Sequence, residues 1–184
     1  QMVYATIKMQ HLQQVPLCLC CRRAASSSMD PLRHRPQTQL KEQDLWSPLR
    51  DWLEADKPYF GICIGYQILF DHSEEFEGAD GLGILAGKVI RFPRNDLKVP
   101  HMGWNALDLV DRSDPLWHGL PENPHVYFVH SYYPQPEDDA VVSAHCDYGL
   151  RFAAAARKGN IVGTQFHPEK SQALGLGILR NFTL

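Results

Sequence analysis

The chain has 184 residues, of which 44% are hydrophobic, so it is long enough to form one hydrophobic core of ordinary domain size. Its 18 basic and 21 acidic residues give a net charge of -3, which excludes a strongly basic surface for nucleic acid or an anionic membrane. No apolar stretch approaches the ~20 residues of a membrane helix, and five cysteines, an odd number, argue against a secreted disulfide framework. These features predict a single-domain protein of the reducing cytoplasm that acts on a small molecule.

The N-terminal segment differs in composition from the rest of the chain. Residues 1–39 contain no glycine, a single acidic residue and three of the five cysteines. Residues 22–39 show neither the period of a strand nor that of a helix, so we expect an irregular segment at 1–39 and a globular domain at 40–184. The cluster of Cys18, Cys20 and Cys21 lacks the spacing and the second cysteine pair of a zinc site, so no metal site is predicted.

From residue 40 onward the sequence predicts the elements of an α/β fold. Apolar residues at helical spacing from Leu45 to Leu53 predict an amphipathic helix over residues 40–56 that ends before Pro58. The apolar run 59–63 is typical of a central parallel strand buried on both faces, and helical spacing resumes from Tyr66 to Phe70. This order indicates a doubly wound sheet. Further strands are predicted at 87–92, 104–110, 126–129, 141–146 and 161–166, and a final helix at 172–182.

Cys63 lies between the buried strand and the following helix, with a glycine two residues before it and another two residues after it. This pattern has the form of a nucleophile elbow, in which glycine permits a strained turn and the close approach of strand and helix. The N-terminus of the helix favours a thiolate and can hold an oxyanion. Cys63 is therefore a candidate nucleophile, although most isolated cysteines are core residues.

His167 and Glu169 form a second pattern, directly after the last predicted strand. Residues two apart on an extended segment share a face, and Pro168 between them stiffens the backbone. A thiol nucleophile needs a base that takes its proton and a group that orients this base. A His-x-Glu triplet alone is common on protein surfaces, but together with the elbow it predicts a Cys-His-Glu triad.

Four segments carry a resemblance to a known family: Gly-Ile-Cys-Ile-Gly-Tyr-Gln at 61–67, Lys-Val-Pro-His-Met-Gly-Trp-Asn at 98–105, Tyr-Phe-Val-His-Ser-Tyr-Tyr at 127–133, and Gln-Phe-His-Pro-Glu-Lys-Ser at 165–171. They resemble class I glutamine amidotransferases. The two middle segments are most similar to the glutaminase subunit of imidazole glycerol phosphate synthase. The resemblance covers residues 40–184 and implies a flavodoxin-like doubly wound sheet with an added β-rich region, in which the N-terminal strands are atypical or missing.

The resemblance also implies roles for individual residues. Cys63 would attack the side-chain amide of glutamine, His167 would act as base and acid, and Glu169 would orient His167. The N–H of Ile64 would donate to the oxyanion, and no cofactor or metal would be needed. Four further residues would hold the amino-acid end of the substrate: Gln67, His130, Ser131 and Tyr132.

A partner is implied as well, because in this family ammonia passes to a separate (β/α)8-barrel cyclase subunit. The cyclase uses it to make imidazole glycerol phosphate in histidine biosynthesis. Trp104, Asn105 and Lys170 match positions on the face that meets the cyclase, so the resemblance implies docking there. A tryptophan in a β-rich segment is otherwise more often a core residue.

Residues 1–39 depart from the family, because they lack its glycine-rich first turn and its Pro-Gly-Val-Gly-like loop. That loop supplies a second oxyanion N–H, and losing one such donor costs ~10²–10³ in rate. Three functions therefore stay open: an active glutaminase, a docking subunit with impaired chemistry, and a related elbow enzyme such as another synthase's glutaminase or a cysteine peptidase. The change in composition near residue 40 also motivates the hypothesis that the N-terminal segment arose by frameshift, wrong start or fusion.

Overall fold

The computed structural model describes residues 17–20, 36–75, 78–93 and 97–184. The helices are α1 (Pro36–Glu42), α2 (Trp46–Glu54), α3 (Ile64–Gln67) and α4 (Gln172–Phe182). The strands are β1 (Leu17–Cys20), β2 (Tyr59–Ile62), β3 (Phe70–Ser73), β4 (Ala79–Asp80), β5 (Leu85–Arg91), β6 (His101–Ala106), β7 (Asp108–Leu109), β8 (His125–His130), β9 (Tyr132–Pro136), β10 (Val142–Asp147), β11 (Arg151–Lys158) and β12 (Ile161–Thr164). None of these helices is long and apolar enough to cross a membrane.

The central sheet has six strands in the order β1-β2-β12-β11-β10-β7. β1, β2 and β12 run parallel to one another, and the remaining pairs in this sheet are antiparallel. Two smaller sheets, β4-β3-β5-β9 and β6-β8, form the β-rich region that the resemblance implies. The chain is therefore an α/β protein with a mixed central sheet.

Side chains of β2 alternate between two apolar clusters on opposite faces of this sheet. Phe60 and Ile62 pack into the cluster that contains Ile178 of α4, and Tyr59 packs into the cluster that contains Leu49 and Leu53 of α2. All four residues of β2 are buried, as predicted for a central strand. The layered arrangement places the carboxyl end of β2 between helices on both sides of the sheet.

Several predicted elements are confirmed, and two need correction. The final helix occupies residues 172–182 as predicted, and strands occupy the main part of each predicted strand region. The helix predicted from Leu40 onward is split, because Asp44 has a positive φ of 54° and separates α1 from α2. The helix predicted to continue to Phe70 ends at Gln67. The carbonyls of Ile68 and Leu69 instead accept hydrogen bonds from backbone N–H groups of residues 82–85.

Strand β11 was missed because four successive alanines, 153–156, have a low intrinsic preference for strands. They are all buried between β10 and β12, where small side chains fit a closely covered sheet.

Two stretches of the N-terminal segment are also regular rather than irregular, because Leu17–Cys20 pairs with the edge of β2 and α1 begins at Pro36. The rest of that segment and the side chains of its cysteines lie outside the described residues, so the predicted boundary near residue 40 stays a prediction.

Two buried histidines face each other across β6 and β8. His101 lies opposite His130, and its Nδ1 is 3.1 Å from Nε2 of His130. The ring of His101 stacks between Phe128 and Tyr148, at centroid distances of 4.7 and 3.9 Å. Burial lowers the pKa of His101 to about 4. Burial also lowers the pKa of His130, to about 3. The hydrogen bond to the Tyr132 carbonyl raises this pKa, whereas the nearby His101 and His167 lower it further.

Gly163 of β12 sets how closely the central sheet approaches α3. A Cβ at this position would lie 2.0 Å from Cδ2 of the buried Tyr66 ring. We expect Gly163→Ala to lower the free energy of unfolding by about 1–3 kcal/mol, because the ring has no room to move away. Gly177→Ala in α4 is the matched control, since its Cβ would meet nothing within 4 Å. That change should raise stability by about 0.5–1 kcal/mol. Urea unfolding measures both, and equal effects of the two variants would contradict this account.

The histidine pair predicts how stability depends on pH. Folded His101 and His130 stay neutral down to about pH 4 and about pH 3, whereas unfolded histidine takes up a proton below about pH 6.5. The unfolded state therefore binds more protons in this window, and the free energy of unfolding should fall as pH falls. The slope should reach up to about 1.4 kcal/mol per pH unit for each histidine.

Urea unfolding between about pH 6.5 and about pH 4.5 measures this slope. His101→Gln should lower it, because one of the two buried titrating groups is removed. His118→Gln serves as the control, since His118 is exposed on the surface. A slope that is the same in His101→Gln as in the unchanged protein would refute the assignment.

Candidate active site

Cys63 occupies a strained turn between β2 and α3. Its backbone has φ 53° and ψ -103°, a combination that costs of order 1–3 kcal/mol for a residue with a Cβ. The turn is held by hydrogen bonds on both sides, because the Cys63 N–H donates to the Thr164 carbonyl at 2.7 Å and the Cys63 carbonyl accepts from the N–H groups of Tyr66 and Gln67. The structure therefore forms the elbow that the sequence predicts.

The glycines of the elbow have a steric role. A Cβ on Gly61 would lie 2.4 Å from the carbonyl oxygen of Gly65, so the strand and the helix approach too closely for any side chain at that position. The buried hydroxyl of Tyr59 donates to the same Gly65 carbonyl at 2.7 Å. Ile64, the predicted oxyanion donor, is the first residue of α3 and directly follows the cysteine. The first N–H groups of a helix have no partner within the helix, so the position of Ile64 fits its predicted role.

His167 and Glu169 lie beyond the carboxyl ends of the strands, at the same end of the sheet as Cys63. β2 and β12 are parallel with Ile62 opposite Thr164, so the residues after both strands meet at one end of the sheet. Nδ1 of His167 is 2.7 Å from Oε1 of Glu169. Because the carboxylate only accepts, Nδ1 carries a proton, so in the neutral imidazole the lone pair lies on Nε2. Nε2 is buried and has no hydrogen-bond partner among the described residues, as a base that awaits a reacting group would be.

Glu169 is held in its charged form. Burial alone raises its pKa, but the hydrogen bond and charge of His167, together with its own backbone N–H and the charge of Lys170, bring the pKa below its usual value. An ionised Glu169 stabilises a positive charge on His167. The pair therefore suits a histidine that gains and loses a proton during a reaction.

The segment that carries His167 is fixed by a side chain that the sequence analysis missed. The hydroxyl of Ser171, which is fully buried, donates to the His167 carbonyl at 2.7 Å and accepts from the Tyr127 N–H at 2.9 Å. The His167 N–H in turn donates to the Tyr127 carbonyl at 2.8 Å. These bonds join β8 to the segment after β12, so the imidazole is positioned by two separate strands.

Gln67 is the predicted substrate residue that lies closest to the cysteine along the chain. Its Nε2 donates to the Tyr132 carbonyl at 3.1 Å and to Oε1 of Gln165 at 3.0 Å. Nε2 of Gln165 lies 3.5 Å from Sγ of Cys63. The Tyr132 carbonyl also accepts from Nδ1 of His130 at 2.8 Å. The fold therefore brings Gln67, His130 and Tyr132 together beside Cys63.

Ser131 takes part in the same region through its backbone, since its carbonyl accepts from the Phe92 N–H at 3.1 Å. A shallow cleft opens beside α3 and is lined by Ile64 and Gln67 together with Gln37, Ile68, His72, Ser73, Glu75 and Gly81. Within the described ranges, no group of three or more His, Cys, Asp and Glu side chains could hold a metal ion.

The three residues predicted to face a partner lie on two sides of β6. Trp104 is 47% exposed, and Met102, two residues earlier on the same face, is 56% exposed. Lys170 lies above the Tyr127 ring, with Nζ 5.9 Å from its centroid, and this ring also contacts Trp104 edge to face. Asn105 points the other way, and its Nδ2 donates to the Asp147 carbonyl at 2.8 Å. We call the exposed surface formed by Met102, Trp104, Tyr127 and Lys170 the partner face.

Sequence reasoning missed Gln165 and Ser171 as site residues, although both lie in a segment that carried the family resemblance. A detectable signal existed for Gln165, because it interrupts an apolar strand run two residues before His167 and therefore shares its face. A polar side chain in such a run needs buried partners. Ser171 gave no comparable local signal, because its contact with Tyr127 joins residues 44 positions apart.

Known proteins resemble this chain over most of its length. A family model described as glutamine amidotransferase class-I matches residues 39–184. Imidazole glycerol phosphate synthase subunit HisH of Syntrophotalea carbinolica is 49% identical over 150 residues, which cover 78% of this chain and 72% of that protein. The HisH subunit of Rhodopirellula baltica is 46% identical over 145 residues, which cover 78% of this chain and 70% of that protein.

Solved structures share the fold at low sequence identity. A crystal structure of glutamine amidotransferase has a TM-score of 0.57 at 20% identity and covers 79% of this chain and 71% of that chain. The structure of PurLQS from Thermotoga maritima has a TM-score of 0.58 at 18% identity, with 75% and 66% covered. These similarities confirm the predicted α/β fold of the amidotransferase type. The match over residues 39–184 and the identity of the curated relatives show that this chain belongs to the class I glutamine amidotransferases.

Proposed function

We propose that this chain is the glutaminase subunit of an imidazole glycerol phosphate synthase, with Cys63, His167 and Glu169 as its triad. The observation that carries the proposal is the state of His167, whose Nδ1 is bonded to Glu169 while its buried Nε2 has no partner among the described residues. A base in this state stands at the same sheet edge as a thiol on a strained elbow. The identity to HisH subunits selects this synthase among the members of the family.

The chemistry follows from these positions. Nε2 of His167 takes the thiol proton, and Sγ of Cys63 attacks the side-chain amide carbon of glutamine. The oxyanion accepts a hydrogen bond from the Ile64 N–H, and protonated His167 gives its proton to the departing nitrogen, which leaves as ammonia. His167 then activates a water molecule that hydrolyses the thioester to glutamate. Glu169 keeps Nδ1 protonated throughout and stabilises the imidazolium.

Gln67 is suited to the amino-acid end of the substrate because its amide orientation is fixed. Both hydrogens of Nε2 are engaged by the Tyr132 carbonyl and Gln165, so Oε1 is the atom that accepts from the ammonium group of glutamine. His130 supports this arrangement through the Tyr132 carbonyl, and Ser131 and Tyr132 belong to the same segment. These roles are carried over from the family's motif.

The partner in this proposal is a (β/α)8-barrel cyclase that takes up the ammonia in histidine biosynthesis in the cytoplasm. The partner face supports it, since Met102 and Trp104 are exposed apolar side chains on a strand whose other face carries the buried His101 and the half-buried Asn105. Lys170 directly follows Glu169 and belongs to the same surface, so a docked subunit would lie next to the triad. Asn105 lies on the other side of β6, so in this proposal it supports the partner face indirectly, through the hydrogen bond that its Nδ2 donates to the Asp147 carbonyl.

The triad is tested by replacing its thiol. We expect Cys63→Ala, in complex with the cyclase, to lose glutaminase activity by about 10⁴-fold or more, because no other group can form the thioester. Cys146→Ala is the matched control. Cys146 is buried and burial raises its pKa to about 12, so its thiol stays protonated and its loss should leave glutamine turnover unchanged. Glutamate release in the presence of the cyclase and its ligand measures both.

Glutamate release, together with assays of cyclase binding, adduct formation and peptide cleavage, separates the functions that the sequence left open. Turnover that persists in Cys63→Ala would overturn the proposal. A chain that binds the cyclase but forms no covalent adduct with a glutamine analogue would instead be a docking subunit. Peptide cleavage without glutamine turnover would favour a cysteine peptidase.

Docking is tested at the centre of the partner face. We expect Trp104→Ala to weaken binding to the cyclase by about 10- to 100-fold, because an exposed tryptophan at the centre of an interface typically contributes about 2 kcal/mol or more. Val110→Ala is the control, since Val110 is similarly exposed but lies outside β6. Titration calorimetry with the cyclase measures the dissociation constants. Equal affinity of Trp104→Ala and the unchanged chain would place the cyclase on another surface.

A further inference from the structure

We propose that Gln165 is a positioning residue that holds the sulphur of Cys63 and the substrate residue Gln67 in one arrangement. Gln165 is fully buried, and its side-chain amide contacts both groups, with Nε2 3.5 Å from Sγ of Cys63 and Oε1 3.0 Å from Nε2 of Gln67. The inference rests on the proposed function for the role of Gln67, but the contact with the thiol stands by itself.

The direction of each hydrogen bond follows from the chemistry of the partners. The Tyr132 carbonyl can only accept, so the atom of Gln67 that faces it is the nitrogen. The second hydrogen of that nitrogen points to Gln165, which must therefore present its oxygen to Gln67. The nitrogen of Gln165 is then left to face Cys63. A single backbone carbonyl thus fixes the orientation of both amides.

An N–H group aimed at sulphur favours the thiolate over the thiol, because a hydrogen bond to an anion is stronger than one to a neutral acceptor. Gln165 can act this way because it is rigid. Its backbone N–H donates to the Ala154 carbonyl at 2.8 Å, and its side chain lies within the covered end of the sheet. The amide therefore keeps Cys63 reactive and holds the orientation of Gln67 at the same time.

Two substitutions separate this role from simple packing. Gln165→Glu keeps the size and can still accept from Gln67, but it presents an oxygen to the sulphur. Gln165→Met keeps the volume and removes both hydrogen bonds. Gln135→Glu is the control, because it makes the same change at an exposed glutamine on β9. Urea unfolding first establishes that each variant is folded.

The readout is the pH dependence of alkylation at Cys63 by iodoacetamide, resolved by mass spectrometry of the peptide. We expect the pH midpoint of the rate to rise by about one unit in Gln165→Met and by more in Gln165→Glu, where a carboxylate repels the thiolate. Gln135→Glu should leave the midpoint unchanged. In the complex with the cyclase, both variants at Gln165 should lower kcat for glutamine by about 10- to 100-fold, and Gln165→Met should also raise KM.

The outcomes distinguish this inference from the proposed function. A pH midpoint that is unchanged in folded Gln165→Met and Gln165→Glu overturns the positioning role, because packing alone would lower reactivity without moving the midpoint. A midpoint that moves as expected in a chain without glutamine turnover supports the contact with Cys63 and overturns only the proposed function. If Gln165→Glu does not fold, the result with Gln165→Met decides.

Discussion

The parallel register of β2 and β12 is the constraint on which the rest of the site depends. It places Ile62 opposite Thr164, and the Cys63 N–H continues the pairing by donating to the Thr164 carbonyl. This bond joins residues 101 positions apart in sequence and ties the elbow to the strand that carries the histidine. Because both strands run in the same direction, the nucleophile and the base emerge at one edge of the sheet. A shift of one residue in this register would turn the side chains after one strand away from the other.

The same register explains why a strained cysteine persists. The backbone of Cys63 is unfavourable by itself, and it is held by hydrogen bonds to Thr164, Tyr66 and Gln67 that relaxation of the turn would break. Gly61 and Gly163 allow α3 to sit directly on β2 and β12, where a Cβ at either position would overlap its neighbours. The strain is therefore offset by packing that forms only in the folded chain.

Polar groups on one side of Cys63 form a connected hydrogen-bond network, separate from the bonds that hold His167. A run of hydrogen bonds leads from Asn105 through His101 and His130 to the Tyr132 carbonyl, and Gln67 and Gln165 continue it to Cys63. Each histidine tautomer is fixed by its neighbour, because the carbonyl at one end can only accept. Such a network stabilises the fold only when every member is satisfied, which favours a single arrangement of the site.

The sequence by itself determined the local features of this protein: the buried strand at β2, the glycines of the elbow, the spacing of His167 and Glu169, the final helix and the family. Each is a pattern within a few residues, and each follows from backbone geometry or from a motif of neighbouring side chains. Only the tertiary structure decided that α3 ends at Gln67, that four alanines form a central strand, and that Gln165 and Ser171 serve the site. These features depend on contacts between residues 44 to 102 positions apart, or on the burial of a whole element, and no local period in the sequence encodes them.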